Sequence, residues 1–140
     1  MNVLLRVRDA GRSLDFYRAL GFEEQMLLLA DGRLYYGEMI LRDPRAGALM
    51  FLERDRWAIE EDGARHENGA GQVLYLPVDD LEAVRARIPE DVVVQGPRDE
   101  YYGRELVIRD PDGFRIAFLQ TWPGGERLPE GVEAWKLEAG

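Results

Sequence analysis

The chain has no cysteine, which excludes disulfides, thiolate nucleophiles and thiolate-bound metals before any pattern is considered. Histidine is nearly as scarce. The single His66 has no identifiable serine partner, so no Ser-His-Asp relay can be assigned. A transition-metal site using it would need several Asp, Glu or backbone ligands converging around it, and it is read instead as a solvent-exposed or locally hydrogen-bonded side chain. No apolar run approaches the ~20 residues that span a bilayer, and the first residues do not resemble a signal peptide. The cytoplasm is the expected location, with no membrane partner. Basic residues are outnumbered 18 to 27, for a formal net charge of −9. That balance argues against a broad nucleic-acid-binding surface and favours neutral or cationic partners. The glycines form neither a dinucleotide fingerprint nor a phosphate loop.

What is present is organised around the stretch from Leu106 to Gln120, two apolar strands joined by Asp110-Pro111-Asp112-Gly113. Proline presets φ near −65° and glycine accepts positive φ, so the reversal has a physical cause. The stretch from Leu41 to Glu53 repeats the Arg-Asp-Pro, the following glycine and the terminal Phe-Leu plus polar residue, with one extra residue at the turn. The repeat predicts a duplication, and 140 residues with 46% apolar content are enough to bury a core shared by two small halves.

In the first half, alternation in Val3 to Arg8 predicts a half-buried strand with Val3, Leu5 and Val7 on one face and Arg6 on the other. A helix capped by Ser13, with Leu14, Tyr17 and Leu20 at helical spacing, is expected to end at Gly21. Phe22 to Leu29, Leu34 to Leu41 and Ala48 to Leu52 complete a βαβββ unit. Residues 54–72 are polar and glycine-bearing and predict a connection, with Trp57 as its one anchor. The second half replays the order. Val73 to Val78 is a strand, in which Pro77 favours a sheet edge or a ladder irregularity. Asp79 or Asp80 caps a helix with Leu81, Val84 and Ile88 as its apolar stripe, ended by Pro89. Val92 to Val94 is a strand, followed by Gln95-Gly96-Pro97, the polar run Arg98 to Glu100, and Tyr101-Tyr102-Gly103. From Thr121 the chain exceeds the duplicated unit. Trp122-Pro123-Gly124-Gly125 should leave the sheet through a turn, and Leu128, Val132, Trp135 and Leu137 are expected to pack the tail across a neighbouring surface.

Through Val7-Arg8-Asp9, Ser13-Leu14-Asp15-Phe16-Tyr17, Leu20-Gly21-Phe22, Val78-Asp79-Asp80 and Asp110-Pro111-Asp112-Gly113, the chain resembles the vicinal oxygen chelate superfamily over residues 2–120. That superfamily includes glyoxalases, bleomycin-resistance proteins and extradiol dioxygenases. The resemblance implies an α+β fold in which tandem βαβββ modules form a curved eight-stranded mixed sheet around a cleft, and it implies a homodimer. The domain would span 1–120, with modules 1–53 and 73–120, connection 54–72 and a C-terminal extension 121–140.

Family metal sites draw His, Gln or Glu from the first and fourth strand of each module. In this chain the corresponding positions fall on Asn2, Met50, Val73 and Ala117. Only the Asn2 carbonyl is a donor of the O/N type a divalent metal requires, so no metal and no cofactor are expected. Glu53, Gln120 and Glu38 would become available only if a strand slipped, which would turn each apolar set to the wrong face.

Glu38 and Glu105 align between the halves and are candidate proton-transfer groups for a metal-free isomerase, with salt-bridged or solvated strand residues as the plainer reading. Asp110 and Asp112 are expected to hold their turn. Candidate contacts for a small organic guest are Arg6, Met50 and Ala117 on cleft-facing strand positions, and the rings of Trp57, Tyr75, Tyr101, Tyr102 and Trp122 in or beside the connections. Ring faces there can stack on a planar guest or hold a cation, with Glu100 or Glu53 supplying charge. The function expected from the resemblance is a metal-independent binding protein like those of the bleomycin-resistance branch, sequestering an amphipathic, partly cationic compound. A metal-dependent lyase or dioxygenase, the metal-free isomerase and a protein-interaction scaffold are the alternatives.

Overall fold

Alternation at the start of the chain does what period-two patterning dictates. In the strand β1 (Val3–Val7), Leu5 and Val7 are buried and Arg6 turns to the opposite face. The computed structural model describes residues 2–41, 47–53 and 72–135, and the connection carrying Trp57 and His66 lies outside them. β1 leads into α1 (Ala10–Ala19), then β2 (Glu23–Ala30), β3 (Arg33–Ile40) and β4 (Ala48–Glu53). The second module runs β5 (Leu74–Pro77), α2 (Leu81–Arg85), a single 3₁₀ turn (Glu90–Val92), β6 (Val93–Glu100), β7 (Gly103–Arg109) and β8 (Arg115–Thr121).

The eight strands divide between two four-stranded sheets, ordered β1-β4-β3-β2 and β5-β8-β7-β6. Each has one parallel pair, between its first and fourth strands, and antiparallel pairs elsewhere. The sheets are thus the same βαβββ design made twice. Each helix covers one face of its own sheet, α1 against β3 and β4 and α2 against β7 and β8. The opposite face of each sheet carries no helix among the described residues and is called the open face below.

Leu5, Val7, Leu14, Tyr17, Phe22 and Phe51 from the first module join Val78, Leu81, Leu106, Ile108 and Phe118 from the second in one core. Burial of that apolar surface, roughly 25 cal/mol per Å² removed from water, is the main term holding the modules together. Gly37 shows how tightly it packs. The glycine pairs with Phe51 across β3 and β4, and the phenyl ring lies in the space a Cβ would fill.

Several local expectations are corrected. The cap of α1 is Asp9, whose carboxylate accepts from the Arg12 amide at 3.2 Å, and Glu53 accepts from the Ala10 amide at 3.1 Å. Ser13 sits buried inside the helix, because a tertiary carboxylate and the earlier Asp satisfy the orphan amides first. Gly21 follows the helix with φ 99°, as expected of a residue beyond a helix C-cap. α2 stops at Arg85, and Ile88 reaches the core from the turn that follows. The polar run before β7 is strand: β6 continues from Val93 through Gln95 to Glu100, with its register shifted between Val93 and Gln95 and again across Gly96-Pro97. An edge strand tolerates this, since its ladder needs a partner on one side only. Pro77 lies on the other edge, in β5. Among the described residues no helix is long and apolar enough to cross a membrane.

Candidate functional site

Strand parity decides which side chains reach the open faces. In the first sheet, Arg6 pairs with Leu52, and Met50 pairs with both Leu4 and Glu38, so these residues share one face with Tyr36, Met26 and Leu28. Glu38 is half-buried and accepts from the Tyr36 hydroxyl at 3.2 Å. In the second sheet, Tyr75 pairs with Ala117, Ala117 with Val107, and Glu105 with Leu119. Leu106 and Ile108 point the other way, into the core.

A cavity of about 530 Å³ opens on this second face, lined by Tyr75, Tyr102, Leu119, Thr121, Trp122, Gly125 and Glu126. Its walls are positioned from three directions. Tyr75 stands on β5, exposed beside the fully buried Ala117. Tyr102 comes from the turn between β6 and β7, with its ring edge-on to Tyr75 at 6.5 Å and to Tyr101 at 4.9 Å. Trp122 follows β8, and its indole N–H donates to the Glu100 carbonyl at 2.7 Å. The segment after it turns back through a Gly125-to-Trp122 hydrogen bond and is clipped by the Arg127 amide on the Tyr101 carbonyl. The Arg127 guanidinium lies 4.0 Å from the centre of the Trp122 ring, a cation–π contact. The first residues of the extension therefore build a pocket wall, whereas Leu128, Val132 and Trp135 are exposed and Leu137 lies outside the described residues. A smaller cavity of about 310 Å³ between α1 and α2 has no aromatic lining.

Behind the pocket lining, beside Leu119, lies a buried acid. Glu105 is 3% exposed, and its Oε2 has no hydrogen-bond partner among the described residues. Desolvation, with hydrogen bonding to Tyr75 and Glu105 adding to it, pushes the Tyr102 phenol well above its ordinary pKa. The Tyr75 and Tyr102 hydroxyls are 3.5 Å apart. Tyr75, Tyr102 and Trp122 thus meet in one cavity, and Tyr101 braces Tyr102 from outside it. Arg6, Met50 and Glu38 belong to the other sheet and line none of this pocket, so Glu38 and Glu105 are not brought together as a pair. Trp57 lies outside the described residues. Glu105 was legible as a strand carboxylate, but its place beneath Tyr102 depends on a turn conformation that sequence periodicity does not encode.

The positions where the resemblance implies metal ligands do not fit a metal. Met50, Val73 and Ala117 offer no oxygen or nitrogen donor, and Asn2 Oδ1 accepts from the Ala48 amide at 3.2 Å. Among the described residues no group of three or more His, Asp or Glu side chains could hold an ion. Strand slippage is ruled out by other bonds. Glu53 is engaged with Ala10 and Arg33, and Gln120 Oε1 accepts from the Leu81 amide at 2.8 Å. Asp110 and Asp112 hold the hairpin: Asp110 Oδ1 accepts from the Asp112 and Phe114 amides, each at 2.9 Å.

Residues 2–118 match the family model described as Glyoxalase/Bleomycin resistance protein/Dioxygenase superfamily. No curated protein matches the chain by sequence. Among solved structures, TioX from Micromonospora sp. ML1 is similar with a TM-score of 0.69 and 21% identity, over 87% of this chain and 98% of that one. TnmS3, an antibiotic binding protein from Streptomyces sp. CB03234, gives 0.62 and 22% over 86% and 93%. A glyoxalase/bleomycin resistance protein from the same Streptomyces gives 0.63 and 23% over 85% and 97%. At these identities the likeness is one of fold.

Proposed function

This chain belongs to the glyoxalase/bleomycin resistance protein/dioxygenase superfamily, and from that premise we propose that it is a metal-independent small-molecule-binding protein, holding an amphipathic, partly cationic organic compound without changing it. A superfamily fold hosts several chemistries, so the reading rests on the site. The observation that carries it is the pairing of Tyr75 with Ala117. Where the resemblance implies a metal-binding carboxylate there is a methyl group, and beside it stands an exposed ring facing a cavity. TnmS3, similar in fold, is an antibiotic binding protein, which supports a guest of that chemical kind.

Binding draws on removal of apolar surface from water, with each well-formed aromatic pair contributing about 0.5–1.5 kcal/mol beyond area burial. Acidic groups at the rim and behind the lining orient the guest and exclude anions. Residues 1–120 form the binding domain, and the extension 121–140 completes the pocket wall through Trp122. The working unit is a homodimer in the cytoplasm. Met26 and Leu28 on the open face of the first sheet are exposed within one chain. A second copy is the natural cover for such apolar surface.

Native mass spectrometry against a panel of peptide antibiotics and aromatic amines tests the reading. A saturable complex with at least one guest is expected, weakened about tenfold or more in Tyr75→Ala. Failure of every guest, together with a cellular protein seated on the aromatic pocket, would replace this reading with an interaction scaffold.

A further inference from the structure

The wall of the pocket is aromatic, and behind it lies a buried carboxyl group with one oxygen left unsatisfied among the described residues. Glu105 lies on the open face of β7 beside Leu119. It is 3% exposed, with Oε2 lacking a hydrogen-bond partner among the described residues. Three described arginines on neighbouring elements are engaged elsewhere. Arg98, its register partner on β6, donates to Glu100 at 2.6 Å. Arg104 faces Asp99 and Glu82, and Arg127 lies on Trp122. A buried carboxylate with an unsatisfied oxygen is costly unless something supplies a donor. The Tyr102 hydroxyl interacts with both Glu105 and Tyr75, and Tyr102 belongs to a two-residue turn rather than to a strand.

We propose that Glu105 is the specificity determinant of this pocket, selecting guests whose planar ring system carries a protonated amine or amidinium directed at its free carboxylate oxygen. The guest's ring stacks against Tyr75 and Trp122, and its cationic N–H group reaches the free oxygen of Glu105 as the Tyr102 hydroxyl turns aside. A charge-assisted hydrogen bond at a buried site is stronger than its neutral counterpart, so a neutral ring of the same shape binds but loses this contact. Glu126, at the solvent edge of the pocket, adds long-range attraction only. The inference rests on the binding function proposed above and names the chemical class that the same pocket accepts.

Two dyes of one shape test it by equilibrium dialysis at neutral pH: proflavine, which is cationic there, and acridine, which is not. The wild type is expected to bind proflavine about tenfold or more tightly than acridine. Glu105→Gln, close in volume, should abolish that preference by weakening proflavine binding, and Glu126→Gln should retain most of it. Tyr102→Phe keeps the carboxylate and removes the competing hydroxyl, so its preference for proflavine should rise; this variant carries the test if Glu105→Gln does not fold. A preference that survives Glu105→Gln, or that falls in Tyr102→Phe, overturns the proposal. Equal binding of both dyes by the wild type overturns it while leaving a ring-binding pocket, whereas binding of neither removes the aromatic-guest reading as well.

Discussion

The hydroxyl of Tyr17, in the first helix, donates to Asp110 Oδ2 in the last hairpin at 2.7 Å, across 93 positions of sequence. Beside it the Arg8 amide donates to Asp112 Oδ1 at 3.0 Å. Residues of the Asp-Pro-Asp-Gly turn therefore close their own reversal and also bond the second module to the first. Burial raises the Asp110 carboxyl above its ordinary value, against the lowering effect of the Tyr17 bond and the turn amides.

Tyr17→Phe is expected to destabilise the fold by about 1.5–3 kcal/mol at neutral pH, the usual scale for a lost hydrogen bond to a charged group. The sign of its pH dependence follows from linkage. The Asp110 pKa is raised in the folded state, so the carboxyl's favourable contribution is complete below the unfolded value and is lost as pH rises through the folded one. Tyr17 offsets part of that loss by stabilising the anion. The deficit of Tyr17→Phe should therefore shrink as pH falls through the folded pKa of Asp110. Urea denaturation at neutral and acidic pH measures this, and a deficit that grows on acidification contradicts it.

Gly37→Ala should cost about 1–3 kcal/mol, the range for overpacking a filled core, because the new methyl enters the space of the Phe51 ring. Gly37→Ala/Phe51→Leu is expected to recover part of the loss. Denaturation midpoints of the three proteins check the coupling, and strict additivity would argue against it.

The duplicated βαβββ order was legible because each module repeats the same alternations and the same turn chemistry. Pro77 pointed to an edge because it lacks a ladder donor. What was hidden depended on tertiary partners. Ser13 and Asp9 are both good caps by residue type, and only the Glu53 carboxylate near the Ala10 amide shows where the helix starts. Tyr17 looked like one member of an apolar stripe, since its hydroxyl meets an acceptor in the other module. Gln95 to Glu100 has no apolar alternation, yet pairing with β7 satisfies its backbone. At the site, parity placed Tyr75 on the open face, whereas the meeting of Tyr102, Trp122 and Glu105 is a product of two turns.

Zinc, nickel, manganese or iron should not bind stoichiometrically at the positions of Asn2, Met50, Val73 and Ala117. Elemental analysis of purified protein should find well under one such ion per chain, and added metal should leave the melting temperature unchanged, since only a ligand that prefers the folded state shifts it. A saturable upward shift that disappears in Asn2→Ala would contradict this.

Light scattering is expected to return twice the 16.0 kDa chain mass over a wide concentration range. A charge placed at Met26 on the exposed open face of the first sheet should shift the mass toward the single chain, as an unpaired charge in an interface is costly. A wild-type mass of one chain at every concentration would remove the dimer from the account.

The account's central claim is binding without conversion, so the most direct measurement follows the fate of the guest. A guest found by mass spectrometry is incubated in excess with the protein, with and without added zinc, nickel, manganese or iron, then released by denaturation and identified by chromatography and accurate mass. The expected result is full recovery of the unaltered compound in every case, with saturable binding that metal does not change. Accumulation of a product beyond the amount of protein present, whether metal-stimulated or abolished by Glu105→Gln in metal-free buffer, would contradict the claim and make the chain an enzyme.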